Sequence, residues 1–372
     1  MTAVHELPFS LAIAFGETIM LAMHRTIGLD TAKRYLTLRT GRIRSLPIAI
    51  LMPHSSCNCR CVMCDIWKGN TNQQQLSRVD IESLLASFRT LGTRWVVMSG
   101  GEALMNRNLF ELCQLLREHG IKKISILSTG LLIEKYAGQV VDSLDEVIVS
   151  LDGSEPVHDA IRRVPRAYQR LFEGVQAVKA LDPGFAISGR CVIQRLNFAD
   201  WPNIVDAARD VGLDQISFLA ADVSTDAFNR PDLWDEERIE QVNLLPEHLP
   251  LMKRVLDKLI RNYAADFEAG FIAESPAKLR RIHEYYVALH RQGPFPAVQC
   301  NAPWVSAVVE ADGTVRPCYF HRPMGNIRQS DLSELINRPE EIAFRQGLDM
   351  NENEVCRQCV CTLNLRPMTR LF

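Results

Sequence analysis

The chain has 372 residues, 47% of them apolar and 23% charged, with a formal net charge of −2. This is the balance of an ordinary globular protein with length enough for a large core, and it lacks the basic footprint of a nucleic-acid-binding protein. Eleven cysteines form two clusters plus the isolated Cys113 and Cys191. With no secretory signal pattern at the N-terminus, that usage points to metal binding in a reducing cytoplasm rather than to disulfides.

Taken in order, residues 1–45 read as an N-terminal helical segment. Within it Phe9 to Met23 is apolar, but Glu17 and His24 interrupt or end it before the roughly 20 residues that a spanning helix needs. An amphipathic helix packed on the protein is expected there, with no spanning segment. From 46 to 222, strand patterns at 47–53, 94–99, 122–128, 145–151, 185–194 and 214–220 alternate with helical patterns near 78–91, 107–119, 133–143, 166–181 and 199–212. This is the signature of βα units on a parallel sheet, and six such units are too few for a closed eight-stranded barrel. Residues 223–295 change to a polar stretch followed by helices around 246–264 and 276–291, a bridging segment expected to cap the open side and line a substrate cavity. Residues 296–372 form a small α+β unit. It begins with a hairpin over Trp304 to Cys318 that turns at Asp312-Gly313 and should bring Cys300 and Cys318 together at its base.

The densest chemistry follows the first strand, in Cys57-Asn-Cys59-Arg-Cys61-Val-Met-Cys64. Cys57, Cys61 and Cys64 give C-x3-C-x2-C, three soft ligands on one short loop, which suits an iron–sulfur cluster better than a catalytic thiol. Three thiolates on a four-iron cubane leave one iron open to a ligand. A register through Cys59 is too cramped, so Cys59 is read as a bystander.

The pattern resembles the radical S-adenosylmethionine (SAM) superfamily, in which C-x3-C-x2-C holds a [4Fe–4S] cluster whose open iron is chelated by the amino and carboxylate groups of SAM. The resemblance implies an open, partial (β/α)6 TIM barrel with its chemistry at the C-terminal strand ends. It also implies that Met63, in a position often aromatic in the family, turns its backbone toward the adenine. Ser99-Gly100-Gly101-Glu102, at the end of the second strand, is similar to the family's GGE motif and would bind the amino end of SAM. Ser128 and Ser150, closing the third and fourth strands, are implied SAM contacts. Arg162 or Arg163 is the implied partner of the SAM carboxylate, and Asn197, after the fifth strand, is a further cofactor-binding candidate.

The C-terminal cysteines, Cys300, Cys318, Cys356, Cys359 and Cys361, resemble the SPASM and twitch auxiliary domains of the same family. The twitch form is expected, with one auxiliary [4Fe–4S] cluster on Cys300, Cys318, Cys356 and Cys359. Four thiolates would leave no open iron, which suits electron transfer. Cys361 could replace Cys359 as a ligand or face the substrate, and it joins His321 and Tyr319 as a candidate catalytic residue. A four-cysteine zinc site has compatible spacing and stands as the rival.

Together these resemblances imply reductive cleavage of SAM to a 5′-deoxyadenosyl radical that abstracts a hydrogen atom from a substrate. The auxiliary cluster points to net oxidation, with a flavodoxin- or ferredoxin-like electron donor. The short N-terminal segment leaves little room for a winged-helix leader-binding domain. That tilts the substrate toward a small molecule such as a sugar or aminocyclitol, with a peptide maturase as the alternative. A non-catalytic iron–sulfur electron carrier or redox sensor would need the cysteines but not Ser99 to Glu102.

Overall fold

The structure is a computed structural model that describes residues 28–228, 230 and 232–371. The helix expected over Phe9 to Met23 lies outside the described residues. Residues 28–40 are helical (α1) and lead into β1, Ile48–His54. The regular alternation follows: α2 (Arg78–Leu91), β2 (Trp95–Gly100), α3 (Leu109–Glu118), β3 (Lys123–Ser128), α4 (Ile133–Ser143), β4 (Glu146–Ser150). After two consecutive helices, α5 (Glu155–Arg162) and α6 (Ala167–Leu181), come β5 (Ala186–Ile193), α7 (Trp201–Val211) and β6 (Gln215–Ala220). Every expected strand is present, each in parallel register with the next.

Local sequence explains these elements. In α2 the Ser77 side chain accepts from the Asp80 amide while Asp80 reaches back to the Ser77 amide, a reciprocal N-terminal cap. Ile81, Leu84, Leu85, Phe88 and Leu91 then fall on one buried stripe, and Gly92, at φ 68°, closes the helix in the left-handed conformation. The apolar alternation of β2 buries Val96 and Met98 completely against the helices, while the other face of the strand looks into the barrel. Burying each such side chain stabilises the fold by about 1.5–3 kcal/mol.

The bridging segment carries α8 (Glu236–Val242), α9 (Leu249–Asn262), α10 (Ala264–Glu268) and α11 (Pro276–Leu289). It covers the outer edge of β6, where Ile216 donates to the Phe271 carbonyl at 2.8 Å and accepts from the Ala273 amide at 2.9 Å. Tyr286 of α11, fully buried, accepts the Ala221 amide at 3.0 Å. These contacts leave the outer edge of β6 covered by the bridging segment. Two of its helices, α8 and α10, and α5 of the barrel lie outside the sequence-based reading.

The C-terminal region holds α12 (Ala302–Val305), β7 (Ser306–Val309), β8 (Thr314–Arg316), β9 (Gly325–Asn326), α13 (Leu332–Leu335), α14 (Pro339–Gly347) and α15 (Glu354–Arg357). The hairpin forms as expected, β7 antiparallel to β8, with Gly313 at φ 88° in the turn. The sequence gives no hint of its destination: β7 pairs in parallel with β1 from Ile48–Ser306 to Leu51–Val309. The result is one nine-stranded sheet ordered β6-β5-β4-β3-β2-β1-β7-β8-β9. Both free edges of the six-stranded barrel sheet are thereby covered, one by the bridging segment and one by β7. Arg328 clamps the arrangement from outside, its Nε donating to Asp80 Oδ1 at 2.8 Å. No helix among the described residues is long and apolar enough to cross a membrane.

Candidate active site

The cysteine loop leaves β1 and is held from three sides. Asn70 closes a two-way bridge with Cys57, accepting its amide and donating to its carbonyl at 2.9 Å each. The Arg60 and Val62 amides donate to the carbonyls of Arg162 and Ile161 at 3.2 and 3.0 Å, so the end of α5 fixes the loop's middle. Past the last cysteine, the buried Asp65 takes Trp234 Nε1 at 2.8 Å and Lys68 Nζ at 2.9 Å, tying the loop to the bridging segment. The β2 end then crosses directly beneath. A Cβ on Gly101 would stand 2.1 Å from the Ser56 carbonyl oxygen, so only glycine permits this crossing.

Cys57, Cys61 and Cys64 all face one cavity of about 250 Å³ at the C-terminal strand ends. Met63, Ser99, Gly100, Gly101, Ser128 and Ser150 lie on the same wall. Cys59 does not. It is 1% exposed, packed with Leu131 and Ala167, and its amide donates to Cys57 Sγ at 3.5 Å. Donating to the Cys57 and Cys61 thiols pushes its pKa up, whereas Cys61, accepting from Cys59 and facing Arg162, is drawn down to about 7.

Arg162 lines the cavity, but its guanidinium is already ion-paired with the buried Asp152 and donates to Cys61 Sγ at 3.5 Å. A buried cation beside a thiol favours the thiolate, the form that binds iron. The donor set of three thiols plus that cation fits an iron–sulfur cluster.

Three expected contacts lie elsewhere. Glu102 is fully buried behind the wall, and its carboxylate accepts the Thr129 amide at 2.7 Å, Thr129 Oγ1 at 2.6 Å, Ser128 Oγ at 3.1 Å and the Leu104 amide at 3.1 Å. It shapes the Ser128-Thr129 turn, and the turn presents the wall. Burial pushes its pKa up against those hydrogen bonds. Arg163 is exposed, closing α5 at φ 53°. Asn197 is fully buried and spends its side chain on backbone, donating to the Asp152 and Val192 carbonyls at 2.8 and 3.0 Å and accepting the Gln194 amide at 2.7 Å.

Other wall residues escaped the sequence reading. Asp222, just past β6, forms a buried ion pair with Arg230 at 2.8 Å, and Arg230 stacks 3.7 Å above the Trp234 ring. Arg190 stands on the wall from β5; a charged residue inside an apolar strand was the available signal.

Cys300, Cys318, Cys356, Cys359 and Cys361 surround a second cavity of about 70 Å³, with His321 beside them. His321 Nε2 lies 3.2 Å from Cys356 Sγ, and Cys359 Sγ donates to the Cys361 carbonyl at 2.8 Å. Burial pushes Cys318 up to about 12 and Cys356 to about 11. The thiols ring a space rather than converge: among the described residues no three His, Cys, Asp or Glu side chains close on a single ion. Tyr319, Phe320 and Cys361 line both cavities, so one thin wall separates the two cysteine sets.

Residues 51–208 match the Radical SAM superfamily, and residues 300–360 match SPASM, an iron–sulfur cluster-binding domain, which displaces the zinc alternative. A probable GTP 3′,8-cyclase of Methanococcus maripaludis is 31% identical over 47% of this chain and 58% of its own length; the chain thus spans little more than half of that relative. The Fe-coproporphyrin III synthase of Methanosarcina barkeri is 25% identical over 86% of this chain and 83% of its own. The solved structure of native anSMEcpe with bound AdoMet and Cp18Cys peptide superposes with a TM-score of 0.57 at 18% identity, covering 84% of this chain and 87% of that one.

Proposed function

Because the chain belongs to the radical SAM superfamily and carries a SPASM domain beside its barrel, we propose that it uses SAM cleavage to oxidise a small molecule by two electrons. Its cofactors are SAM, a SAM-binding [4Fe–4S] cluster and an auxiliary iron–sulfur cluster. When loaded, these supply a 5′-deoxyadenosyl radical and a nearby electron acceptor. On this reading Cys57, Cys61 and Cys64 hold the first cluster, and Cys300, Cys318, Cys356 and Cys359 hold the second as a cubane.

The observation that carries the reading is the shared wall. A substrate bound in the larger cavity would touch Tyr319, Phe320 and Cys361, whose other sides face the auxiliary cysteines, so its second electron would have a short path out. The chain's own residues do the rest. Gly100 and Gly101 let ligand approach the backbone, Ser128 and Ser150 offer small hydroxyls, Glu102 holds the turn that presents Ser128, and the apolar remainder of the wall excludes water. A third, more polar cavity of about 390 Å³ adjoins the first at Gly100, Gly101, Phe228, Arg230 and Tyr319, and supplies an entrance for a small polar metabolite. The electron to start turnover would come from a flavodoxin- or ferredoxin-like carrier.

Anaerobic incubation of the reconstituted protein with SAM and a strong reductant tests this. We expect 5′-deoxyadenosine, and from the true substrate a product two hydrogens lighter. No 5′-deoxyadenosine would leave the electron-carrier alternative. A peptide as hydrogen donor would favour the maturase alternative.

A further inference from the structure

The cavity beside the cluster loop has three guanidinium groups on its wall, and two are already neutralised. Arg162 pairs with Asp152 and Arg230 with Asp222. Arg190 forms no ion pair among the described residues. Its Nε donates to Ser217 Oγ at 3.4 Å, and Ser217 Oγ is itself fixed by donating to the Gly189 carbonyl at 3.0 Å. That contact orients the guanidinium and leaves both terminal amino groups without a protein acceptor among the described residues. Strand alternation places Arg190 on the same face as Val192, and both line the cavity, while Gly189 and Cys191 turn to the buried side.

A cation on a largely apolar wall is costly unless a partner arrives, and the planar fork of arginine matches a carboxylate or phosphate in two parallel hydrogen bonds. We propose that Arg190 anchors an anionic group, carboxylate or phosphate, of the substrate. The position separates this group from that of SAM. Arg190 lines this cavity together with Tyr319 and Cys361, which form the wall shared with the auxiliary cysteines, whereas the cluster loop has Arg162 against Cys61. The inference rests on the proposed function and narrows its substrate to an acidic or phosphorylated small molecule.

The test uses a perdeuterated metabolite extract, cleared of macromolecules and split on an anion exchanger at neutral pH. Each fraction is incubated anaerobically with the reconstituted holoenzyme, SAM and reductant, and deuterium in 5′-deoxyadenosine is read by mass spectrometry. The expected donor is in the retained, anionic fraction. Arg190→Gln should lower that transfer at least about tenfold, the loss of a charge-assisted contact, and Arg190→Lys should restore part of it. SAM affinity and substrate-free 5′-deoxyadenosine formation by Arg190→Gln should stay unchanged. A donor in the neutral or cationic fraction overturns the proposal, as does loss of SAM affinity in Arg190→Gln, which would assign Arg190 to the SAM carboxylate. Should Arg190→Gln fail to fold, the fractionation with the unmodified enzyme still decides. Absence of any 5′-deoxyadenosine from that enzyme would instead defeat the proposed function itself.

Discussion

The loop after β1 delivers Cys57, Cys61 and Cys64 to their cavity from within residues 57–64, whereas Cys300, Cys318, Cys356 and Cys359 reach theirs from three separate stretches. The first set is organised by local bonds, with Asn70 and the end of α5 as the nearest outside supports. The second depends on β7 pairing with β1 and on the returning tail, where the Asn301 side chain exchanges hydrogen bonds with the Leu365 backbone at 2.8 and 2.9 Å. The surroundings differ as well. A buried guanidinium touches Cys61, while burial raises the pKa of Cys318 and Cys356. The contrast suggests a division of labour: one pocket leaves a wall open to ligand, and the other encloses its cysteines beside that wall.

The comparison breaks most completely at the first set. Replacing Cys57, Cys61 or Cys64 by Ala should abolish SAM cleavage, measured as 5′-deoxyadenosine; retained cleavage in any of the three would remove that residue from the ligand set. Glu102→Ala strikes the wall rather than the ligands. It strands the Thr129 and Leu104 amides, which should cost about 1–3 kcal/mol of stability. It should weaken SAM binding about tenfold as the Ser128-Thr129 turn loosens, with iron content normal. Unchanged affinity would confine Glu102 to the fold.

A smaller effect sharpens the tie between the two regions. Asp80 caps α2 and takes the Arg328 guanidinium from beyond β9. Burial pushes its carboxyl up, but the bonds from Arg328 and Ser77 outweigh this and hold it below the usual aspartate range. A depressed folded pKa means stability that is present above the unfolded value and lost as pH falls through the folded one. Asp80→Asn should therefore lower stability by about 1–2 kcal/mol near neutrality, with the gap closing below about pH 4. Thermal unfolding across pH checks this, and a gap that persists in acid would contradict it. The smallest effect is expected at Cys59, where Ala should preserve both iron content and SAM cleavage.

The strands were legible to within one residue at either end because Val- and Ile-rich runs set off by glycine, proline and polar residues leave little choice of element. The cysteine loop and Ser99 to Gly101 were legible because their chemistry is written in contiguous residues. What was hidden is nonlocal or compensated. Nothing in Ser306 to Val309 specifies β1 as its partner. The eight residues of α5 were taken up in reading Arg162 or Arg163 as the partner of the SAM carboxylate, although the end of α5 aims the two oppositely, one at Cys61 and one into solvent. Glu102 looked like a ligand because its carboxylate follows two glycines, yet the third strand's end already satisfies it. Arg190 could have been found as the one charge in Ala-Ile-Ser-Gly-Arg-Cys-Val-Ile.

The division of labour is tested most directly by counting iron while watching SAM cleavage in Cys300→Ala/Cys318→Ala. Both cysteines lie outside the strands, so β7 can still pair with β1. The unmodified protein should hold about eight irons, two cubanes of four, and the double variant about half, with substrate-free 5′-deoxyadenosine formation preserved. Iron unchanged in the double variant, or stoichiometric zinc in the unmodified protein, would contradict the second cluster and with it the case for net oxidation.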